Sequence, residues 1–260
     1  MPALKIGIQT RSLRQPLRQS LNTAAQLGAA GVELDARHEL RPADISQTGL
    51  RDIHKLLSDR NLRVSAIAFP TRRGFDSPDD IDRRVRATQE AMRFAANLHA
   101  DVLVLRANYV PAETETAAFN RMAEALTALG AYGDRLGVRP ALQTAEPAPA
   151  DLARLLAALP EQLVGIDLHP TGLIMAGHSP QNAVETLGPH VLHVHACDAV
   201  RDFATRQGVE VELGRGSANF PELLGRLTEF DYRGWITIER RDSANPISEI
   251  ENAVAYLHSL

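Results

Sequence analysis

Eight short aliphatic runs, each followed by an amphipathic stretch, divide this chain into units of roughly 32 residues, the size of one strand–helix repeat. The runs are KIGIQT (5–10), GVELDA (31–36), RVSAIAF (63–69), DVLVLRA (101–107), RPALQTA (139–145), LVGIDLH (163–169), VLHVHAC (191–197) and WITIER (235–240). Between them, apolar residues recur at three- and four-residue steps, the period of a helix face. PLRQSLNTAAQLGAAG ends in a glycine, a usual helix stop. SPDDIDRRVRATQEAMRFAANLHA opens with Ser77, Pro78 and two aspartates, which predicts a cap and first turn there. Strict alternation implies parallel strands with right-handed crossovers. Eight units in 260 residues predict one (β/α)8 TIM barrel over residues 1–260, not an open doubly wound sheet. The glycine-rich turn of a dinucleotide-binding sheet is missing, because RSLRQP follows the first run. GRGSANF (214–220) carries two glycines without closely following a strand, a weak signal for a phosphate loop.

Composition narrows the function classes. A net charge of −4 gives no attraction to nucleic acid or to an anionic membrane. No apolar run approaches the ~18 residues of a membrane span, and MPALKIGIQT lacks the design of a secretion signal, so a cytoplasmic protein is expected. The single cysteine, Cys197, excludes an internal disulfide framework and reads as a packing residue at the barrel rim. Lysine occurs only at Lys5, which begins the first strand, and Lys55, in mid-helix; neither is placed for Schiff-base chemistry.

In such barrels chemistry sits at the C-terminal strand ends. Side chains alternate between the faces of a strand, so inward parity can be read from the last residues of each run. Strand five offers Gln143, strand six His169 with Asp167 one layer below, strand seven His195 with His193 below, and the last strand Glu239 with Thr237 below. Four adjacent strands thus each deliver one candidate metal ligand at about the same height. Asp167 reads as a group that holds His193 or His195. Glu33 points inward on strand two, as a substrate hydrogen-bonding group or a structural ion-pair partner. Glu146, three residues beyond Gln143, is a loop carboxylate that could serve as a second acid–base group. Arg72, Arg73, Arg106, Arg201, Arg206 and Arg241 ring the mouth, and a guanidinium pair there would suit an anionic small-molecule substrate.

VLHVHACD (191–198), LGRGSANFPELLGRLTEFDYRGWITIER (213–240) and IGIQTRSLRQPLRQSLNTAAQLGAAGVELDA (6–36) closely resemble the xylose isomerase-like TIM-barrel family, and the resemblance runs along the whole chain. It implies a sugar isomerase, epimerase or dehydratase, frequently a dimer or tetramer, with one divalent ion held by Glu, Asp, His and Glu on strands five to eight. His195 and Glu239 match the last two ligands, and Asp198 matches an aspartate that commonly follows that histidine. Gln143 stands where the family has glutamate, His169 where it has aspartate, and Gly172 where many members have histidine. The expected set is therefore metal at Gln143, His169, His195 and Glu239, catalysis by Glu239 with Glu146, and substrate contacts from Glu33, Arg106, Asp198 and Arg241. One carboxylate among four ligands suits Zn²⁺ or another borderline transition metal better than Mg²⁺ or Mn²⁺. The alternative is a barrel that has lost catalysis and serves as a binding or assembly protein. The related apurinic-site endonucleases need a three-metal cluster that these strand ends do not supply.

Overall fold

The structure, a computed structural model, describes residues 4–202 and 208–260. Among the described residues ten strands occur: β1 (Lys5–Gln9), β2 (Gly31–Asp35), β3 (Arg63–Ala68), β4 (Val102–Arg106), β5 (Arg139–Gln143), β6 (Gly165–Leu168), β7 (Val191–Ala196), β8 (Asp198–Arg201), β9 (Gly208–Val211) and β10 (Trp235–Ile238). Strands β1 to β7 and β10 close into a parallel barrel, with β10 between β7 and β1. Around it lie α1 (Leu17–Gln26), α2 (Gln47–Ser58), α3 (Ile81–Asn97), α4 (Thr116–Asp134), α5 (Pro149–Ala157), α6 (Pro170–Ala176), α7 (Pro180–Leu187), α8 (Phe220–Glu229) and α9 (Pro246–His258). No helix among the described residues is long and apolar enough to cross a membrane.

The alternation of side chains sorts each strand into two jobs. Ile6, Ile8, Val32, Leu34, Ile166, Leu168, Val194, Ile236 and Ile238 join Leu21, Leu155, Leu187, Leu223 and Leu257 of the helices in one buried core. Full burial of an aliphatic side chain of this size stabilises by about 1.5–3 kcal/mol, so this layer holds the barrel closed. The intervening residues form a polar interior. The Thr237 and Ser65 hydroxyls are hydrogen-bonded at 3.0 Å there, and a Cβ on Gly7 would lie 2.9 Å from the Thr237 hydroxyl. Only glycine leaves β1 room beside that pair.

Three features depart from the sequence expectation. Helix α3 begins at Ile81, not near Ser77, because Asp80 adopts a left-handed φ of 52° that interrupts any earlier turn. A short helix, α6, follows β6 directly. His169 accepts from the Gly172 amide as its N-cap, Pro170 occupies the first turn, and Gly177 at φ 89° ends it. Seven residues are too few to show a helical period. Beyond β7, strands β8 and β9 pair antiparallel as a hairpin, with Asp198 opposite Val211 and Arg201 opposite Gly208.

Candidate metal centre

Register builds the centre from the inside outward. Gln143 of β5 lies beside Asp167 of β6, and Asp167 beside His193 of β7. Asp167 is fully buried and accepts from Gln143 Nε2 at 2.9 Å, His193 Nδ1 at 2.7 Å and His195 Nδ1 at 2.9 Å. Sequence parity suggested that Asp167 holds one histidine; it holds both. Burial alone would raise its pKa, but His195 and His193 hold it well below the usual carboxylate range. The ionised carboxylate fixes a proton on Nδ1 of each ring, which turns Nε2 of each into the free face. His193 Nε2 faces the Thr237 hydroxyl at 2.8 Å. His195 Nε2 faces Glu33 Oε2 at 2.9 Å and Glu239 Oε2 at 3.6 Å.

The Nε2 atom of His195 is the decisive one. His195 Nε2 and Glu33 Oε2 are buried and at ion-pair distance, 2.9 Å, yet neither forms a hydrogen bond among the described residues. Buried polar atoms are rarely left so, since each orphan costs about 1–3 kcal/mol. Two lone-pair donors aimed at one point, with the carboxylate of Glu239 beside them, are what a cation needs. The charge balance agrees: Glu33, Asp167 and Glu239 are all buried within this cluster, and together they raise the pKa of His195 well above its ordinary value against the opposing effect of burial. A divalent ion would take the place of the second proton that these carboxylates favour on His195. Glu33, His193 and His195 also bring ligand atoms within 4.8 Å of one another. Both nitrogens of His193 are hydrogen-bonded already, which leaves Glu33, His195 and Glu239 as the residues that fit a metal ion. Glu33 also accepts from Gln9 Nε2 at 2.8 Å through its other oxygen, so its orientation is fixed.

The two positions where the resemblance implied carboxylate ligands do something else. Gln143 directs its amide nitrogen at Asp167. His169 sits 3.0 Å from Glu239 Oε2 through Nε2, while its Nδ1 accepts from the Gly172 amide at 2.8 Å. Burial disfavours a second proton on this ring, whereas the neighbouring Cys197 and Glu239 push its pKa up to about 10. The Gly172 amide decides between them, because a doubly protonated ring has no lone pair to accept with. His169 is therefore neutral, with its proton on Nε2 and donated to Glu239, and in this tautomer it has no lone pair facing the cluster. A Cβ at position 172 would lie 2.9 Å from His169 Nδ1 and 2.9 Å from the Thr144 carbonyl, so this contact requires glycine. Glu239 also accepts from Arg241 Nε on its other oxygen. Burial would raise its pKa, but the hydrogen bond from His169 and the charges of His195 and Arg241 hold it well below the usual range.

Above the cluster the mouth divides into two cavities of about 410 and 480 Å³. Both are lined by Arg106, Gln143, Glu239 and Arg241; Glu33 lines the first and Glu146 the second. Glu146 is exposed, and its carboxylate has no hydrogen bond or ion pair among the described residues. Asp198 does not reach either cavity. Its carboxylate accepts from the amides of Ala199, Gly214, Gly216 and Ala218 at 2.8–3.1 Å, and a substrate contact has no free lone pair left. The loop suspected of holding a phosphate is thus an anion nest filled by the chain's own aspartate. Arg73 pairs with Asp79 away from the cavities, Arg72 and Arg201 do not line them, and Arg206 lies outside the described residues. What sequence reasoning missed was the reach of Glu33 to His195. Its inward parity was legible; which side chain it meets across the barrel was not.

A sequence model described as xylose isomerase-like TIM barrel matches residues 21–260. The chain is 26% identical over 206 residues to an uncharacterized protein of Methanocaldococcus jannaschii, a match that covers 70% of this chain and 66% of that protein, just under two thirds of its length. Among solved structures, a 3-keto-D-glucoside 4-epimerase from E. coli superposes with a TM-score of 0.77 at 16% identity, over 99% of this chain and 100% of the other. A TIM-barrel protein from Mycobacterium smegmatis in complex with magnesium gives 0.78 at 16% identity, over 93% and 87%. At these identities the likeness establishes the fold.

Proposed function

Because the chain belongs to the xylose isomerase-like TIM-barrel family, we propose that it is an isomerase, epimerase or dehydratase of a small polyhydroxylated or α-hydroxycarbonyl compound, assisted by one divalent metal ion. The observation that carries this reading is the buried pair His195 Nε2 and Glu33 Oε2, 2.9 Å apart with neither forming a hydrogen bond among the described residues, beside Glu239. Similarity to a sugar epimerase and to a magnesium-bound barrel supports it. Glu33, His195 and Glu239 would hold the ion, which when bound would polarise a carbonyl or hydroxyl oxygen of the substrate. A histidine made more basic by Asp167, as one of three donors, suits Zn²⁺ or Co²⁺ better than Mg²⁺, which demands an octahedron of oxygens.

The chain's own residues then divide the work. Glu239, pinned by His169 and Arg241, stays ionised and is a weak base; it holds position and negative charge at the reacting end. Glu146, unpaired beside the second cavity, is the group free to take up and return a proton. Gln143, lining both cavities, presents an amide to substrate oxygens. The test is elemental analysis of protein purified without chelator. One equivalent of a transition metal per chain is expected in the wild type, and none in His195→Ala. A metal-free wild type that takes up no added ion would reduce the barrel to a binding protein.

A further inference from the structure

Five arginines line the two mouth cavities: Arg11, Arg14, Arg106, Arg240 and Arg241. Four have partners. Arg11 pairs with Asp35 at 2.6 Å, and Arg240 bridges Glu210 at 3.0 Å and Glu249 at 2.5 Å. Arg14 donates to the Ser243 carbonyl at 2.8 Å, and Arg241 gives its Nε–H to Glu239. Arg106, at the end of β4, has no hydrogen bond or ion pair among the described residues. It lines both cavities together with Arg241, and burial and that neighbour's charge lower its pKa against the opposing charges of Glu239 and Asp35. Two guanidinium groups that repel each other form a site with one component missing.

The surrounding carboxylates do not supply it. In the first cavity Asp35 is held by Arg11 and by the amides of Arg37 and His38, and Glu33 and Glu239 face the metal centre. In the second cavity the carboxylates of Glu146 and Asp242 have no hydrogen bond or ion pair among the described residues, and their charge repels an anion from that side. Only the 410 Å³ cavity offers Arg106 and Arg241 without an opposing free carboxylate. Guanidinium groups bind carboxylate and phosphate oxygens in bidentate fashion, whereas a neutral hydroxyl leaves their charge uncompensated.

We propose that Arg106 and Arg241 together receive an oxyanion of the substrate, carboxylate or phosphate, in the 410 Å³ cavity, so that the substrate is an acidic derivative of a sugar or hydroxy compound. The proposal rests on the metal-assisted reading above, since it places the anion beside Glu239. Arg241 then serves two groups at once. Its Nε–H orients Glu239, and its remaining N–H groups meet the substrate.

Calorimetry on the metal-loaded chain tests this, with inorganic phosphate, D-gluconate, D-glucose 6-phosphate and uncharged D-fructose as probes. At least one oxyanion should bind about ten-fold or more tightly than D-fructose, in keeping with a charge-assisted contact, and added salt should weaken it. Gluconate without phosphate compounds would identify a carboxylate, and the converse a phosphate. Arg106→Gln should remove the preference while leaving metal content unchanged, and Arg106→Lys should recover part of it. The proposal is overturned if no oxyanion binds, if D-fructose binds as tightly, or if Arg106→Gln leaves affinity intact. Metal content separates the two ideas. A wild type without metal defeats the proposed function, whereas a metal-loaded wild type without Arg106-dependent binding defeats only the anion site.

Discussion

His169 makes two contacts, and two substitutions separate them. Through Nδ1 it caps α6 by accepting from the Gly172 amide; through Nε2–H it donates to the buried carboxylate of Glu239. His169→Ala removes both. Loss of an N-cap costs about 0.5–2 kcal/mol, and loss of a hydrogen bond to a buried charge about 1.5–3 kcal/mol. The alanine variant should therefore be less stable by about 2–5 kcal/mol. His169→Asn places a side-chain oxygen where Nδ1 was and keeps the cap, but its amide is too short to replace Nε2. It should lose only the second contribution and lie about 1 kcal/mol above the alanine variant. Urea unfolding of chelator-treated protein at neutral pH measures both. The same variants, purified without chelator, should keep their metal, because the tautomer fixed by Gly172 leaves His169 no lone pair for it. In ¹⁵N-correlated spectra of the wild type, His169 Nδ1 should show the shift of an unprotonated nitrogen. If metal disappears from both variants, His169 is a ligand and the tautomer argument fails. If asparagine and alanine are equally unstable, the Gly172 contact is not a cap.

Further outcomes follow from the same geometry. Asp167→Asn should weaken metal binding about 10–100-fold, the usual cost of losing the carboxylate behind a ligating histidine, as read by competition with a chromogenic chelator. His178→Ala should leave metal content unchanged where His195→Ala abolishes it, because among the described residues the His178 ring hydrogen-bonds the Glu146 carbonyl and no member of the cluster; equal loss would indicate general destabilisation. Asp167 and Glu239 have folded pKa values depressed below those of the unfolded chain. Their contribution is thus present above the unfolded carboxylate value near pH ~4 and is lost as pH falls below it. Metal-free protein should hold its urea midpoint down to about that pH and lose it steeply beneath; a midpoint already falling at pH ~6 would show that other groups control acid stability. The double substitution Gln143→Glu with His169→Asp should raise Mn²⁺ and Mg²⁺ affinity and lower that for Zn²⁺, and unchanged calorimetry for both ions would remove these positions from the metal's surroundings.

The barrel was legible because eight units repeat one pattern, and a repeated period survives errors at any single boundary. The inward residues Gln143, His169, His195 and Glu239 followed from parity alone. The chemistry of their contacts did not, for a physical reason: parity gives the face, but not which nitrogen of a ring carries the proton. That choice is made for His169 by the amide of Gly172, three residues on, and for His195 by Asp167 on the neighbouring strand. Asp198 misled for the converse reason. Its position after His195 suggested a substrate contact, yet the turn that makes the amides of Gly214, Gly216 and Ala218 converge on it lies 16 to 20 residues away and has no periodic signature. Helix α6 and the hairpin β8–β9 are too short to produce one either.

Gln143 and His169 depart from the expected carboxylates in the same chemical sense. Each presents an N–H to a carboxylate, Gln143 to Asp167 and His169 to Glu239, at positions where two oxygens were expected to face a metal. Substituting donors for acceptors removes two negative charges from the interior and stabilises the ionised forms of the carboxylates that remain. A centre altered by loss of ligands alone would leave Asp167 and Glu239 with fewer partners. Here they have more: Asp167 accepts from three side chains, and Glu239 from His169 and Arg241. Glu33, tied to β1 through Gln9, then supplies from the opposite side of the barrel an oxygen that strands five and six no longer contribute. On the metal-assisted reading proposed above, the two changes are one, a shift of the ligand set around the barrel from strands five and six toward strand two, with His195 and Glu239 as its fixed points.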